Sequence, residues 1–167
     1  MQEGSIRRPR RVLAIDLSTR GFGFIVLEGP TVAVDWGTRQ VNRVDKAGST
    51  IAKVGDLINV YRPHVLVLED TAAPRSRRCE RVAALVGDVT LHARRLRLRV
   101  VTVSTISVRA LFSSGGGTTK HLIAGDVAER LPELAPLRPP LRKPWMREDE
   151  RMSVFDAAAF ALTFLSR

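Results

Sequence analysis

The chain has 167 residues, 44% of them hydrophobic, and its 27 Lys and Arg against 17 Asp and Glu give a formal net charge of +10. That length suffices for a sizeable core in one domain, and no apolar run approaches the roughly 20 residues of a membrane span. A single cysteine, Cys79, excludes an internal disulfide and a cysteine zinc cage. The apolar run before Asp16 is too short for a signal-peptide core, so a cytoplasmic, reducing setting without a membrane partner is expected.

In chain order, residues 1–11 form a basic tail ending in Arg7 to Arg11, ahead of one domain expected over 12–167. Two short apolar runs around a polar, glycine-containing turn predict a β-hairpin with strands near 12–17 and 22–28. Thr31 to Arg39 predicts a third strand after the tight turn Glu28 to Pro30. Residues 40–49 are polar, contain Gly48 and read as a loop. Ile51, Val54, Leu57, Ile58 and Tyr61 recur at helical spacing and predict a helix ending before Pro63. Val65 to Leu68 has the continuous apolar pattern of a strand buried on both faces. A basic loop over 71–78 leads into a helix with Val82, Leu85, Val86 and Val89 on one side.

Leu96 to Val103 predicts a fifth strand and Ile106 to Phe112 a short helix, followed by a flexible loop from Ser113 to Thr119. Lys120 to Leu131 reads as helical, and Pro132 to Pro144 holds five prolines, which argues against regular structure. A final helix is expected over 149–165. Three hairpin-linked strands followed by βα units predict an α/β fold, a five-stranded mixed sheet with helices on its faces.

Three acids stand in apolar settings: Asp16 in the first strand, Glu69 at the end of the fourth, and Asp156 in the last helix. A carboxylate is costly to bury unless a cation pairs with it. Adjacent central strands could set Asp16 and Glu69 side by side, at the strand ends where ligand sites form in α/β sheets. Clustered carboxylates favour hard cations such as Mg²⁺ or Mn²⁺. Two such ions about 4 Å apart could activate a water and stabilise the leaving oxygen of a phosphodiester. The positive charge is nearly all arginine and clusters at 7–11, 75–81, 94–99 and 138–147. Arginine suits bidentate phosphate contacts, and clustered basicity is the footprint of a nucleic-acid partner. Aromatic residues are only 5% of the chain, so a platform of stacked bases finds little support.

Acids in this order, on strand one, at the end of strand four and on the last helix, resemble the ribonuclease H-like nuclease superfamily. Within it the chain resembles the RuvC-type Holliday-junction resolvases. The segments that carry the likeness are Ile15 to Gly23, Val67 to Glu69, Val108 to His121 and Asp156 to Leu162. The resemblance implies a sheet of three antiparallel strands followed by two parallel ones, and a metal-dependent endonuclease acting on branched or four-way-junction DNA. Asp16, Glu69 and Asp156 would be its catalytic metal ligands, with Mg²⁺ or Mn²⁺ as cofactor. Arg109 and Lys120 would hold DNA near the scissile phosphate, and a homodimer would cut symmetrically.

Two departures follow from the same comparison. Ser153 stands where an acid or histidine is expected one turn before Asp156, which implies a weak fourth ligand or one from Asp149 or Glu150. Ala72 stands where an aromatic wedge is expected, leaving Arg75, Arg77 and Arg78 of the same loop to grip branched DNA through its phosphates. The opening Asp-Leu-Ser-Thr-x-Gly motif also resembles the phosphate loop of sugar-kinase and actin-like ATPases, which need two such domains. An RNA-processing nuclease resembling the pre-16S ribosomal RNA family competes with the junction reading, as does a non-catalytic nucleic-acid-binding module.

Overall fold

Alternation along the strands sorts the apolar side chains into two cores, one on each face of a five-stranded sheet. The computed structural model describes residues 10–112 and 118–167. Its strands are β1 (Arg11–Leu17), β2 (Gly21–Glu28), β3 (Val32–Gln40), β4 (Val65–Glu69) and β5 (Arg99–Val103). They lie in the order β3-β2-β1-β4-β5, with β1, β2 and β3 antiparallel and β1, β4 and β5 parallel. This is the mixed sheet expected of a ribonuclease H-like fold.

The helices are α1 (Lys46–Tyr61), α2 (Glu80–Arg95), α3 (Thr105–Phe112), α4 (Lys120–Arg130) and α5 (Met152–Leu165). Leu13, Ile15, Phe24, Val26, Leu66 and Leu68 face α1 and α2. Val12, Ala14, Ile25, Leu27, Val65 and Val67 face α3, α4 and α5. The apolar stripe of α2, Val82, Leu85, Val86 and Val89, is buried in the first of these cores. Helix α5 is apolar almost all round and nearly every residue from Val154 to Phe164 is buried, as a helix enclosed by its neighbours must be.

Several boundaries depart from the sequence-based expectation. Helix α1 starts at Lys46, inside the expected loop, because Asp45 caps it by accepting from the Gly48 N–H at 2.9 Å. A Cβ at Gly48 would collide with that capping carboxylate, so the glycine belongs to the cap. The strand expected from Leu96 begins only at Arg99, because α2 runs on to Arg95 and Arg97 turns the chain in the left-handed region at φ 59°. Pro132 to Leu137 forms a 3-10 helix, against the expectation of no regular structure; Pro132 opens it, where a missing N–H costs nothing. The last helix begins at Met152, three residues later than expected. Arg11 belongs to β1 and Arg10 is exposed, while residues 1–9 of the expected tail and the Gly115 to Gly117 loop lie outside the described residues.

One close approach sets where α5 begins. Gly23 pairs with Asp16 across β1 and β2, and a Cβ on it would run into the backbone and hydroxyl of Ser153. The absent side chain lets the first turn of α5 rest on the sheet next to Asp16. Gly23→Ala should therefore push α5 off the strands and cost about 2 kcal/mol, the scale of overpacking a tight interior. Urea unfolding measures this; a loss below about 0.5 kcal/mol would show that the helix adjusts freely.

Candidate active site

Asp16 and Glu69 share the face of the sheet that α5 covers. On β1 the side chains of Val12, Ala14 and Asp16 point one way, and on β4 those of Val65, Val67 and Glu69 do. The parallel register pairs Val12 with Val65 and Ala14 with Val67, so two further residues bring Asp16 level with Glu69. Both are buried, 3% and 5% exposed. Helix α5 passes over these strands and carries Asp156, whose side chain is 16% exposed. Three carboxyl groups from two strands and one helix thus lie toward one end of the sheet, within electrostatic reach of one another.

Two cations compensate them. The Arg78 guanidinium donates from Nη2 to Asp16 Oδ1 and from Nε to Glu69 Oε2, tying the two strand ends together. The Lys120 ammonium donates to Asp156 Oδ2 at 2.9 Å and to Glu148 Oε1 at 2.6 Å. Burial and the neighbouring Asp156 charge raise the Asp16 pKa to about 8, outweighing the pull of Arg78 and Lys120. Asp156 is raised as well, first by burial, with Lys120 opposing. Burial works against the charge of Arg78, but Asp16 and Glu69 hold its pKa above the usual value. Lys120 behaves likewise through Asp156 and Glu148.

Asp16 and Asp156 line a cleft of about 160 Å³ whose walls also include Arg78, Lys120, Arg20 and Arg39, while Glu69 lies behind Arg78 and does not line it. Among the described residues no three His, Cys, Asp or Glu side chains are gathered closely enough to grip a metal ion. Carboxylates repel unless a cation stands between them, and here Arg78 separates Asp16 from Glu69 while Lys120 holds Asp156. The donor set nonetheless suits a hard cation: buried carboxylate oxygens on rigid elements, in a site already organised around positive charge.

The remaining expected residues divide. Ser153 lines the cleft, but its hydroxyl donates to the Glu150 carbonyl at 2.6 Å. Asp149 also lines it and is engaged by Arg151 at 2.6 Å; that hydrogen bond holds its pKa below the usual carboxylate range. Glu150 lines the cleft and is exposed. Arg75 and Arg77 are exposed on the loop after β4, with Arg75 in the left-handed region at φ 66°. Arg78, grouped with them by sequence, is instead drawn into the acids. Arg109 is exposed on α3 and does not line the cleft.

Glu148, Arg20 and Arg39 also line the cleft, with no pattern in the sequence that points to them. Glu148 falls between the basic cluster ending at 147 and the last helix expected from 149. Arg20 and Arg39 are brought together by the hairpin, since the Arg20 carbonyl accepts from the Val41 N–H at 3.1 Å. Neither arginine has an ion pair among the described residues, and an isolated arginine at a strand end carries no sequence signal of a cleft.

No protein-family model and no curated protein sequence matches this chain. Solved structures do match in fold. RuvC of Thermus thermophilus superposes with a TM-score of 0.67 at 20% identity, covering 92% of each chain. The same protein in complex with a Holliday junction substrate gives 0.66 at 18% identity, over 92% of this chain and 91% of that one. The yeast mitochondrial Holliday junction resolvase gives 0.65 at 16% identity, over 98% of this chain and 80% of that one. At these identities the likeness establishes a shared ribonuclease H-like fold.

The Asp16 shift has a consequence for stability. Its pKa rises from 3.8 to about 8 on folding, so the folded chain holds a proton that the unfolded chain releases. That contribution is full below the unfolded value and is lost as pH rises through the folded one. In metal-free buffer the wild-type chain should lose stability between about pH 4 and pH 8, and Asp16→Asn should show a shallower decline. Urea unfolding of both across that range, with chelator present, checks it; parallel curves would place the buried proton elsewhere.

Proposed function

We propose that the chain is a metal-dependent endonuclease that hydrolyses phosphodiester bonds in branched DNA, with a four-way junction as the preferred substrate. The observation that carries this reading is a cleft at one end of a ribonuclease H-like sheet lined by Asp16 and Asp156, with Glu69 tied to Asp16 through Arg78 and Lys120 bonded to Asp156. The reading also draws on solved structures of the same fold, one of them a RuvC bound to a Holliday junction. The net charge of +10 suits a polyanionic substrate.

Asp16, Glu69 and Asp156 would hold Mg²⁺ or Mn²⁺, with Asp149 or Glu150 as nearby oxygen donors and Ser153 as a weak one. Such ions activate a water for attack and stabilise the leaving oxygen. Arg78 and Lys120 bond the acids in the free protein and, with the acids held by a cation, would be placed to contact the phosphate. A guanidinium fits two phosphate oxygens at once, so Arg78 would orient the group being attacked. Arg75, Arg77 and Arg109 would hold the flanking backbone, positioning it without reading bases. Residues 12–167 would act as one domain, and symmetric cutting of a junction would call for two copies.

Cleavage of matched junction, flap, duplex and RNA substrates, with Mg²⁺, with Mn²⁺ and with chelator, tests this reading. The junction should be cut fastest, and chelator should stop the reaction. Asp16→Asn should abolish cleavage and leave junction binding largely intact. A chain that binds the junction but never cuts it would be a non-catalytic binding module, and one that cuts only RNA would be a processing nuclease.

The loop after β4 gives a separate test. Each arginine on a phosphate contributes roughly 0.9 to the salt slope of binding, so Arg75→Ala with Arg77→Ala should lower that slope by about 1.8 on the junction. An unchanged slope would place both arginines off the DNA.

A further inference from the structure

We infer that Trp145 is a base-stacking contact, taking an unstacked nucleobase of the nucleic acid held at the carboxylate cleft. The inference rests on the nuclease reading above. Every phenylalanine of the chain is buried, and Trp36 and Tyr61 are partly so. Trp145 alone is left out, with 78% of its surface exposed. A side chain of this size normally contributes through burial, and full exposure suits a contact made with something outside the chain.

The local backbone presents it. Lys143 to Met146 form a turn closed by the Met146 N–H donating to the Lys143 carbonyl at 3.0 Å. Pro144 occupies the second position of that turn, where its fixed φ favours the geometry, and Trp145 stands at the third. The indole is therefore held out before any ligand arrives, which lowers the ordering cost of contact.

Charge around the ring selects the occupant. Arg142, Lys143 and Arg147 flank it, all exposed and without an ion pair among the described residues. The Lys143 ammonium lies 5.5 Å from the ring centroid. Exposed Leu141 and Met146 add apolar surface, but three uncompensated cations beside an aromatic match a nucleobase with its phosphates better than an apolar protein face. The segment also leads into the cleft: Glu148, three residues on, lines it and binds Lys120. Three residues of extended chain span at most about 11 Å, so a base on Trp145 belongs to nucleotides near the acids.

The experiment uses the full chain carrying Trp36→Phe, so that Trp145 is its sole tryptophan, titrated with a four-way junction in chelator. Trp145 emission should be quenched as the complex forms. In the natural background Trp145→Ala should weaken junction binding about tenfold, the scale of one base–aromatic stack, while Trp145→Phe retains most of the affinity. The salt slope should stay at its wild-type value in both, since no charge is removed. Equal melting temperatures would confirm that the exposed substitution leaves the fold intact. Absence of quenching, or wild-type affinity in a folded Trp145→Ala chain, overturns the inference while leaving the nuclease reading standing. Emission that changes with protein concentration alone, and self-association lost in Trp145→Ala, would make the patch a contact between copies and also overturn it. A wild-type chain that binds no nucleic acid removes the nuclease reading first, and the inference with it.

Discussion

Burying carboxylates at the end of an apolar sheet is the constraint on which the rest of the arrangement depends. Asp16 and Glu69 lie among Val, Leu and Ala side chains on neighbouring central strands, where an unpaired charge would be prohibitively costly. The fold answers with cations drawn from separate parts of the chain: Arg78 from the loop after β4, and Lys120 from the first turn of α4. Each bonds two acids at once. Four elements and two loops are thereby fastened at one end of the sheet, where the cleft forms.

The placement of Lys120 runs against the helix it begins. A cation at a helix N-terminus opposes the macrodipole, and that end instead favours negative charge. Here Asp156 and Glu148 supply it, so that Lys120 lies between the helix end and two carboxylates. Thr119 caps the same turn by accepting from the Leu122 N–H at 3.3 Å, leaving the lysine free for the acids. Local helix energetics and site electrostatics are reconciled by residues 28 and 36 positions further along the chain.

The cations on the cleft and on the loop after β4 fall into two groups. Arg78 and Lys120 are spent on the carboxylates, whereas Arg20, Arg39, Arg75 and Arg77 carry charge with no acid partner among the described residues. Arg39 is further steadied by the buried Phe24 ring, 4.7 Å from its guanidinium carbon. Uncompensated charge beside a compensated acidic centre suits a substrate that is negative along its length and reactive at one point. On the proposed reading, the free ones would serve in capture and the bonded ones at the acids.

What the sequence by itself determined was periodicity and misplaced charge. Strand alternation, the helical spacing from Ile51 to Tyr61, and acids standing in apolar runs were legible because burial imposes those patterns locally. The five strands, their mixed order and the convergence of Asp16, Glu69 and Asp156 at one sheet end were therefore within reach. Boundaries were read less well where a single side chain decided them. Asp45 extended α1 into a stretch read as loop, and Arg97 ended a turn read as strand. Only the tertiary structure decided which cation meets which acid. Arg75, Arg77 and Arg78 are indistinguishable as sequence, yet the path of one loop sends Arg78 to Asp16, 62 residues away, and leaves the other two in solvent. The physical reason is that electrostatic pairing depends on distance in space, and no periodicity along the chain records it.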